Sequence, residues 1–159
     1  KYKHMKTLKV GDAAPKFEGV DQNNKKITAE DFKGSKWVVY FYPKDNTPGC
    51  TAQACSLRDG YDKLLSKGIK VLGVSADTVK SHDKFSSKFS LPFPLLADEA
   101  KDLINLFGVW GPKKFMGREY EGIHRLTFVI DENGLITHVI QKPKTKDHAN
   151  EILDLLELQ

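Results

Sequence analysis

Cys50 and Cys55 are the only two cysteines in the 159-residue chain, and five positions separate them. A cysteine can act as a nucleophile, form a disulfide or bind a metal, and the reactive form is the thiolate. The chain's five histidines do not add the short paired spacings that a zinc site requires. Redox or nucleophilic chemistry at sulfur is therefore the favoured interpretation of the pair.

The segment before Cys50 predicts a buried strand followed by a helix. Residues 37–42 are six consecutive aromatic or β-branched residues, which is typical of a strand buried on both faces. Pro43 follows this run, and Thr47 and Pro48 suit the N-cap and first position of a helix. Cys50 is then expected in the first helical turn, where free N–H groups and the helix dipole favour a thiolate.

Composition predicts one globular domain over residues 1–159 and excludes several function classes. Hydrophobic residues make up 40% and charged residues 29%. No apolar run reaches the ~20 residues of a membrane helix. The net charge of +4 comes from scattered lysines, so a nucleic-acid surface is not expected.

The start of the chain carries no secretory-signal pattern, so a cytoplasmic location is expected. Met5 is the expected natural start, with residues 1–5 foreign to the natural protein or disordered.

The order of elements predicts an α/β fold. Strands are expected at 17–20, 26–28, 37–42, 69–75, 94–97, 127–130 and 136–140, and helices at 47–68, 77–89, 99–107 and 147–158. This order predicts a mixed central sheet flanked by helices on both faces, with an N-terminal β extension. It resembles the thioredoxin-like fold.

Attack of a thiolate on a peroxide requires stabilisation of the leaving oxygen as well as an ionised sulfur. Negative charge builds on one oxygen while sulfur bonds to the other, so donors aimed at both oxygens favour the reaction. The expected donors are the Cys50 amide, the Thr47 hydroxyl and the Arg125 guanidinium. Two alternatives stay open: Thr47 as a plain helix cap, and Arg125 as a surface strand residue.

The pattern Pro43-x-x-x-Thr47-x-x-Cys50 resembles the active-site motif of the peroxiredoxins. The chain is most similar to the Q subfamily, also called bacterioferritin-comigratory proteins. Similar segments are 40–45, 55–59, 108–111, 122–125 and 127–131. The resemblance runs from about Gly11 to the end of the chain.

The resemblance implies a thiol-dependent peroxidase for hydrogen peroxide or organic hydroperoxides that uses no metal or organic cofactor. It makes Cys50 the peroxidatic cysteine, with Thr47 and Arg125 positioning the peroxide and Pro43 shielding the sulfenic acid from water. Cys55 matches the resolving cysteine, which forms an intramolecular disulfide with Cys50. Thioredoxin or a similar dithiol protein is the implied reductant, and a monomer is favoured.

Two positions depart from the subfamily pattern. Gln53 stands where many members have an acid, and Leu126 stands where a small hydroxyl residue is frequent. The four core positions, Pro43, Thr47, Cys50 and Arg125, are intact.

The spacing of the two cysteines predicts a conformational change. Five helical residues separate two Cα atoms by ~8–9 Å and turn their side chains to different faces. A disulfide tolerates at most ~7 Å. The first turns of the helix must therefore unwind before Cys50 and Cys55 can join. The alternative is that Cys55 is a buried structural thiol and an external thiol resolves the sulfenic acid.

Two other functions remain as alternatives. A thioredoxin-like disulfide oxidoreductase would use the same fold, but the Cys-x-x-Cys spacing is absent. A non-enzymatic binding or chaperone-like domain would make both thiols incidental.

Overall fold

The computed structural model describes residues 5–157. The strands are β1 (Glu18–Val20), β2 (Lys26–Thr28), β3 (Lys36–Phe41), β4 (Ile69–Ser75), β5 (Leu95–Ala97), β6 (Trp110–Phe115), β7 (Arg118–Ile123), β8 (Leu126–Ile130) and β9 (Ile136–Ile140). The helices are α1 (Pro48–Asp59), α2 (Tyr61–Ser66), α3 (Val79–Phe89), α4 (Asp102–Phe107) and α5 (His148–Leu155), and a short 3-10 helix spans Ala29–Phe32.

The central sheet has five strands in the order β5-β4-β3-β8-β9. Strands β3, β4 and β5 are parallel, whereas β8 runs antiparallel to β3 and β9 antiparallel to β8. Strands β1 and β2 form a separate N-terminal hairpin. The predicted mixed α/β sheet with an N-terminal β extension is confirmed.

Helices cover both faces of the sheet because β3 is apolar on both sides. Side chains alternate along a strand, so Val38 and Tyr40 face one core while Val39 and Phe41 face the other. The first core also contains residues of α1, α2, α3 and α5. The second contains residues of α4, the 3-10 helix and the other side of β8. The strand that leads to Cys50 is thereby fixed at the centre of the protein.

The single helix predicted over 47–68 is wrong, because the chain breaks at Gly60 into α1 and α2. A side chain at Gly60 would collide with the Cβ of Ala149, so α5 packs directly on the backbone there. The helix predicted from residue 99 begins at Asp102, after Lys101 adopts a left-handed conformation with φ 63°.

The hairpin of β6 and β7 was not predicted from the sequence. Its turn uses Met116 and Gly117 at φ 51° and 80°, the paired positive values typical of a tight hairpin. Its strands are mostly exposed and therefore carry no apolar alternation. The hairpin ends at Ile123, directly before the segment that carries Arg125.

Of residues 1–5, which were expected to be foreign or disordered, residues 1–4 lie outside the described residues. Met5 is described, and its side chain lies against Gly111 of β6. None of the helices in the described part of the chain has the length and apolar content to span a membrane.

Candidate active site

Cys50 is the third residue of α1 and is almost completely buried, with 1% of its surface exposed. Thr47 is the N-cap and Pro48 the first helical residue, as the sequence predicts. The Thr51 amide makes the first helical bond, to the Thr47 carbonyl at 2.8 Å. The Cys50 amide precedes that bond, so no helical carbonyl is available to it, and it can donate to a bound group.

The Arg125 guanidinium joins Cys50 to a second residue of α1. Its Nη2 donates to Cys50 Sγ at 3.3 Å, and its Nη1 donates to Gln53 Oε1 at 2.7 Å. Arg125 directly precedes β8, which pairs with β3, so the sheet brings it to the start of α1. Gly49 permits the approach, because a Cβ there would lie 3.1 Å from Arg125 Nη2.

Gln53 is a site residue whose role the sequence did not reveal. It is fully buried, and its Oε1 holds the guanidinium while its Nε2 has no hydrogen-bond partner among residues 5–157. Its spacing of three residues from Cys50 puts both side chains on one face of α1. That spacing is the sequence signal that could have indicated Gln53 as a site residue.

Thr47 does not act as a plain helix cap. Its side chain makes no cap hydrogen bond, and its hydroxyl donates instead to the Lys44 carbonyl at 2.9 Å. Because the proton is used there, the oxygen presents lone pairs and can accept an O–H from a ligand. The sequence predicted that Thr47 donates a hydrogen bond to a peroxide. In this conformation its oxygen is instead expected to accept one.

Asp45 anchors the loop that contains Pro43 and Thr47. One carboxylate oxygen accepts the Tyr42 hydroxyl at 2.6 Å, and the other faces His82 Nδ1 at 2.7 Å. The Ser81 hydroxyl also donates to Asp45, at 2.8 Å. The loop is thus tied to α3, and half-buried Pro43 lies at its base, two residues after the end of β3.

His82 faces an acceptor at each ring nitrogen. Nδ1 faces the Asp45 carboxylate, and Nε2 lies 2.9 Å from the Leu96 carbonyl, which can only accept. When Asp45 is ionised, both nitrogens donate in this geometry and the two side chains form a buried ion pair.

A metal-site interpretation of this cluster is less favoured than the ion pair. Ligand atoms of Asp45, Asp77 and His82 lie within 4.8 Å of one another. However, Asp77 accepts the Ser75 hydroxyl at 2.6 Å and the Asp45 amide at 2.9 Å, and both His82 nitrogens are engaged. A metal ion would have to displace these hydrogen bonds.

Two further groups shape the electrostatics around the sulfur. Burial raises the pKa of Tyr40 well above its ordinary value, and the charge of Cys50 raises it further. Partial burial lowers the pKa of Lys113 and the Arg125 charge lowers it further, whereas Cys50 opposes both. The Lys113 ammonium is held by the Ile123 carbonyl at 2.9 Å. Lys113 thus places a positive charge of the β6–β7 hairpin near Arg125 and Cys50.

Cys55 lies on the same continuous helix as Cys50, and both thiols are free. Cys55 is half-buried, whereas Cys50 is buried. The structure therefore brings Cys50, Thr47 and Arg125 to one helix start and puts Cys55 further along α1.

Comparison with known proteins identifies the family of this chain. The model of the AhpC/TSA family matches residues 10–139. The chain belongs to the AhpC/TSA family. It is 48% identical to Peroxiredoxin Bcp of Escherichia coli (strain K12) over 153 residues, covering 96% of this chain and 98% of that protein. It is 42% identical to Peroxiredoxin Bcp of Bacillus subtilis (strain 168) over 151 residues, covering 95% and 96%.

Solved peroxiredoxin structures agree with the fold. A cysteine-to-serine mutant of PrxQ from Xylella fastidiosa superposes with a TM-score of 0.88 at 32% identity, covering 98% of this chain and 97% of that one. A cysteine-to-serine mutant of peroxiredoxin Q from Xanthomonas campestris gives 0.83 at 35% identity, covering 89% and 90%. The resemblance to the Q or Bcp peroxiredoxins and the thioredoxin-like fold are confirmed.

Proposed function

We propose that Cys50 is the peroxidatic residue of this thiol-dependent peroxidase and that it reduces hydrogen peroxide and organic hydroperoxides. The observation that carries the proposal is the Arg125 Nη2 at 3.3 Å from Cys50 Sγ, at a helix start with a free Cys50 amide. A bacterioferritin comigratory protein of Xanthomonas campestris, 35% identical, has been described for its alkyl peroxide reduction activity.

In the first step, the Cys50 thiolate attacks one oxygen of the peroxide. The sulfur–oxygen bond forms as the oxygen–oxygen bond breaks, and the second oxygen leaves as an alcohol or water after taking a proton. The Arg125 guanidinium and the Cys50 amide stabilise the charge that builds on the oxygens. The Thr47 oxygen accepts the peroxide O–H and fixes its orientation. Cys50 is left as a sulfenic acid.

The second step joins Cys50 and Cys55. The Cys55 thiol condenses with the sulfenic acid, water leaves, and an intramolecular disulfide forms. Two Cα atoms five residues apart on a helix are ~8–9 Å apart, which exceeds the ~7 Å limit of a disulfide. The first turns of α1 therefore unwind between the two steps. Pro43, at the base of the loop, shields the sulfenic acid from water before this happens.

A dithiol protein such as thioredoxin then reduces the disulfide and returns both thiols. We place this cycle in the cytoplasm, where such reductants keep thiols reduced. Thr47, Cys50, Cys55 and Arg125 all belong to one chain, so the proposed unit is a monomer. We further propose that residues 1–159 form one domain, because both cores share the central sheet.

Cysteine variants test the assignment. Cys50→Ser is expected to abolish peroxide consumption by the reduced protein. Cys55→Ser is expected to reduce one equivalent of peroxide and to stop with a sulfenic acid that a dimedone reagent traps. A Cys55→Ser protein with no first turnover would contradict the assigned roles. A disulfide oxidoreductase would instead leave peroxide unconsumed while reducing protein disulfides.

A further inference from the structure

Ser56, the residue after Cys55, joins α1 to the start of α5. Its Oγ accepts the His148 amide at 2.7 Å and lies 3.4 Å from the Ala149 amide. These are the first two residues of α5, and their amides have no acceptor within that helix. The N-cap residue Asp147 makes no side-chain cap bond. Ser56 therefore caps α5 from a different helix.

The start of α5 is itself held on the central sheet. His148 Nε2 lies 2.9 Å from Thr127 Oγ1 on β8, and His148 Nδ1 lies 2.8 Å from Glu151 Oε1. A carboxylate only accepts, so Nδ1 donates to Glu151 and Nε2 accepts the Thr127 hydroxyl. Ser56 is thus connected through His148 to the most buried part of the fold.

Other contacts hold the C-terminal half of α1 in place. Leu57 is fully buried, and Arg58 Nη1 donates to the Phe89 carbonyl of α3 at 2.8 Å. Gly60 packs against Ala149 without room for a side chain. The segment from Ser56 to Gly60, at the C-terminal end of α1, is therefore attached to both α3 and α5.

The N-terminal half of α1 is attached differently. Within the described part of the chain, the side-chain hydrogen bonds from Cys50 and Gln53 to other elements run through Arg125 alone. Oxidation of Cys50 directly changes one of these two hydrogen bonds, the one that Arg125 Nη2 donates to Cys50 Sγ. The buried Gln53 Nε2 adds an unpaired donor to the same segment. Packing also holds this half, since Cys50 and Ala54 are buried in the first core, but losing the Arg125 bonds would leave it without a side-chain hydrogen bond to another element in the described part of the chain.

We propose that Ser56 is a positioning residue for the resolving step. It holds the Cys55 end of α1 on α5, so unwinding stops at Cys55 and the Cys50 segment moves toward a stationary thiol. The inference rests on the proposed Cys50–Cys55 disulfide. The Ser56 hydroxyl takes part in no covalent change, and its proposed role is to accept the His148 amide. Without it, the disordered segment grows past Cys55 and the two sulfurs meet less often.

Kinetics of Ser56→Ala separate this role from catalysis by Cys50. The rate of sulfenic acid formation is expected to stay within twofold of the unchanged protein, whereas disulfide formation slows about fivefold, the factor for one lost hydrogen bond. The longer-lived sulfenic acid is then oxidised further to the sulfinic acid at high peroxide. Ser56→Thr keeps the hydroxyl and is expected to restore the resolving rate. Ser66→Ala is the matched control, because Ser66 Oγ donates within its own helix to the Lys63 carbonyl.

Hydrogen exchange measured by mass spectrometry on the reduced and disulfide forms gives the second readout. In the unchanged protein and in Ser66→Ala, disulfide formation is expected to raise exchange over 49–59, because the amides of 56–59 bond to the carbonyls of 52–55, which unwind. The Gly60 amide, which donates to the Ser56 carbonyl at 3.1 Å, and the start of α5 are expected to stay protected. In Ser56→Ala the increase is expected to extend to Gly60 and to the start of α5.

The outcomes separate this inference from the proposed function. Failure of the unchanged protein to form the Cys50–Cys55 disulfide would overturn both. A disulfide that forms together with raised exchange at Gly60 and at the start of α5 in the unchanged protein would overturn the Ser56 role alone. So would a Ser56→Ala protein that resolves at the original rate with the original exchange boundary.

Discussion

Arg125 Nη2 lies 3.3 Å from Cys50 Sγ although 75 positions separate the two residues in the chain. The contact exists because β8 pairs with β3, so the residue before β8 meets the helix that follows β3. A guanidinium held this close to the sulfur can stabilise the negative charge that develops on a departing oxygen.

Replacing Arg125 with lysine is expected to lower the rate of sulfenic acid formation about 100-fold. Lysine keeps the charge but lacks the planar fork whose two separate nitrogens donate to Cys50 and Gln53. Stopped-flow measurement of thiol oxidation against peroxide concentration checks this result. An Arg125→Lys protein as fast as the original would show that charge alone is sufficient.

Gln53→Leu is expected to slow peroxide reduction about tenfold while changing the free energy of unfolding by less than about 1.5 kcal/mol. The substitution frees the guanidinium, but it also removes the unpaired Nε2 donor from a buried site. Gln53→Glu keeps an acceptor for Arg125 and serves as the control. Urea unfolding and peroxide kinetics on the same samples separate the two effects. A large loss of stability with unchanged kinetics would assign Gln53 to packing instead.

His82→Gln is expected to destabilise the protein by about 3 kcal/mol, because it leaves the buried Asp45 carboxylate without its charged partner. Asp45→Asn in the same background is expected to cost less than it does alone, since the two residues form one network. A double-mutant cycle measured by urea unfolding tests this coupling. Additive effects would contradict the buried ion pair.

The pH dependence of stability is expected to include a contribution from His148. Burial lowers the pKa of His148 below its ordinary 6.5, against opposing contributions from Glu151. The unfolded chain then binds a proton that the folded protein does not. The contribution of His148 to the free energy of unfolding is therefore fully present above about pH 6.5. It is lost as the pH falls from there toward the lower pKa of His148 in the folded protein.

Comparison with His148→Asn isolates that contribution, because asparagine can still donate to Glu151 but does not titrate. Urea unfolding near pH 7.5 and pH 5.5 is expected to show a smaller acid loss of stability in this variant than in the unchanged protein. Equal losses in the two proteins would exclude His148 as a source of the effect.

The sequence predicted the parts of the fold that rest on strong local patterns. The apolar run of β3, the Thr47-Pro48 helix start and the turn between β8 and β9 are each encoded by neighbouring residues, and each forms as expected. The β6–β7 hairpin escaped prediction because its exposed strands carry no apolar alternation. Gly60 breaks the long helix because of its packing against Ala149, which is a tertiary contact.

In the site, too, local sequence patterns predict only the contacts between residues that are close in the chain. Cys50, Cys55 and Thr47 are close in sequence, and local motif and spacing predict their roles. The residues that hold them are distant: Gln53 and Arg125 are 72 positions apart, Asp45 and His82 are 37 apart, and Ser56 and His148 are 92 apart. Such pairs are formed by the topology of the sheet, and no local spacing indicates them.

The most direct test of the account is the product of one oxidation cycle. Fully reduced protein, freed of reductant, is mixed with one equivalent of hydrogen peroxide, and the thiols and the disulfide-linked peptides are then measured by mass spectrometry. We expect both thiols to be lost together and a single Cys50–Cys55 disulfide to form within each chain. Peroxide left unconsumed with both thiols intact, or disulfides formed only between chains, would contradict the central claim.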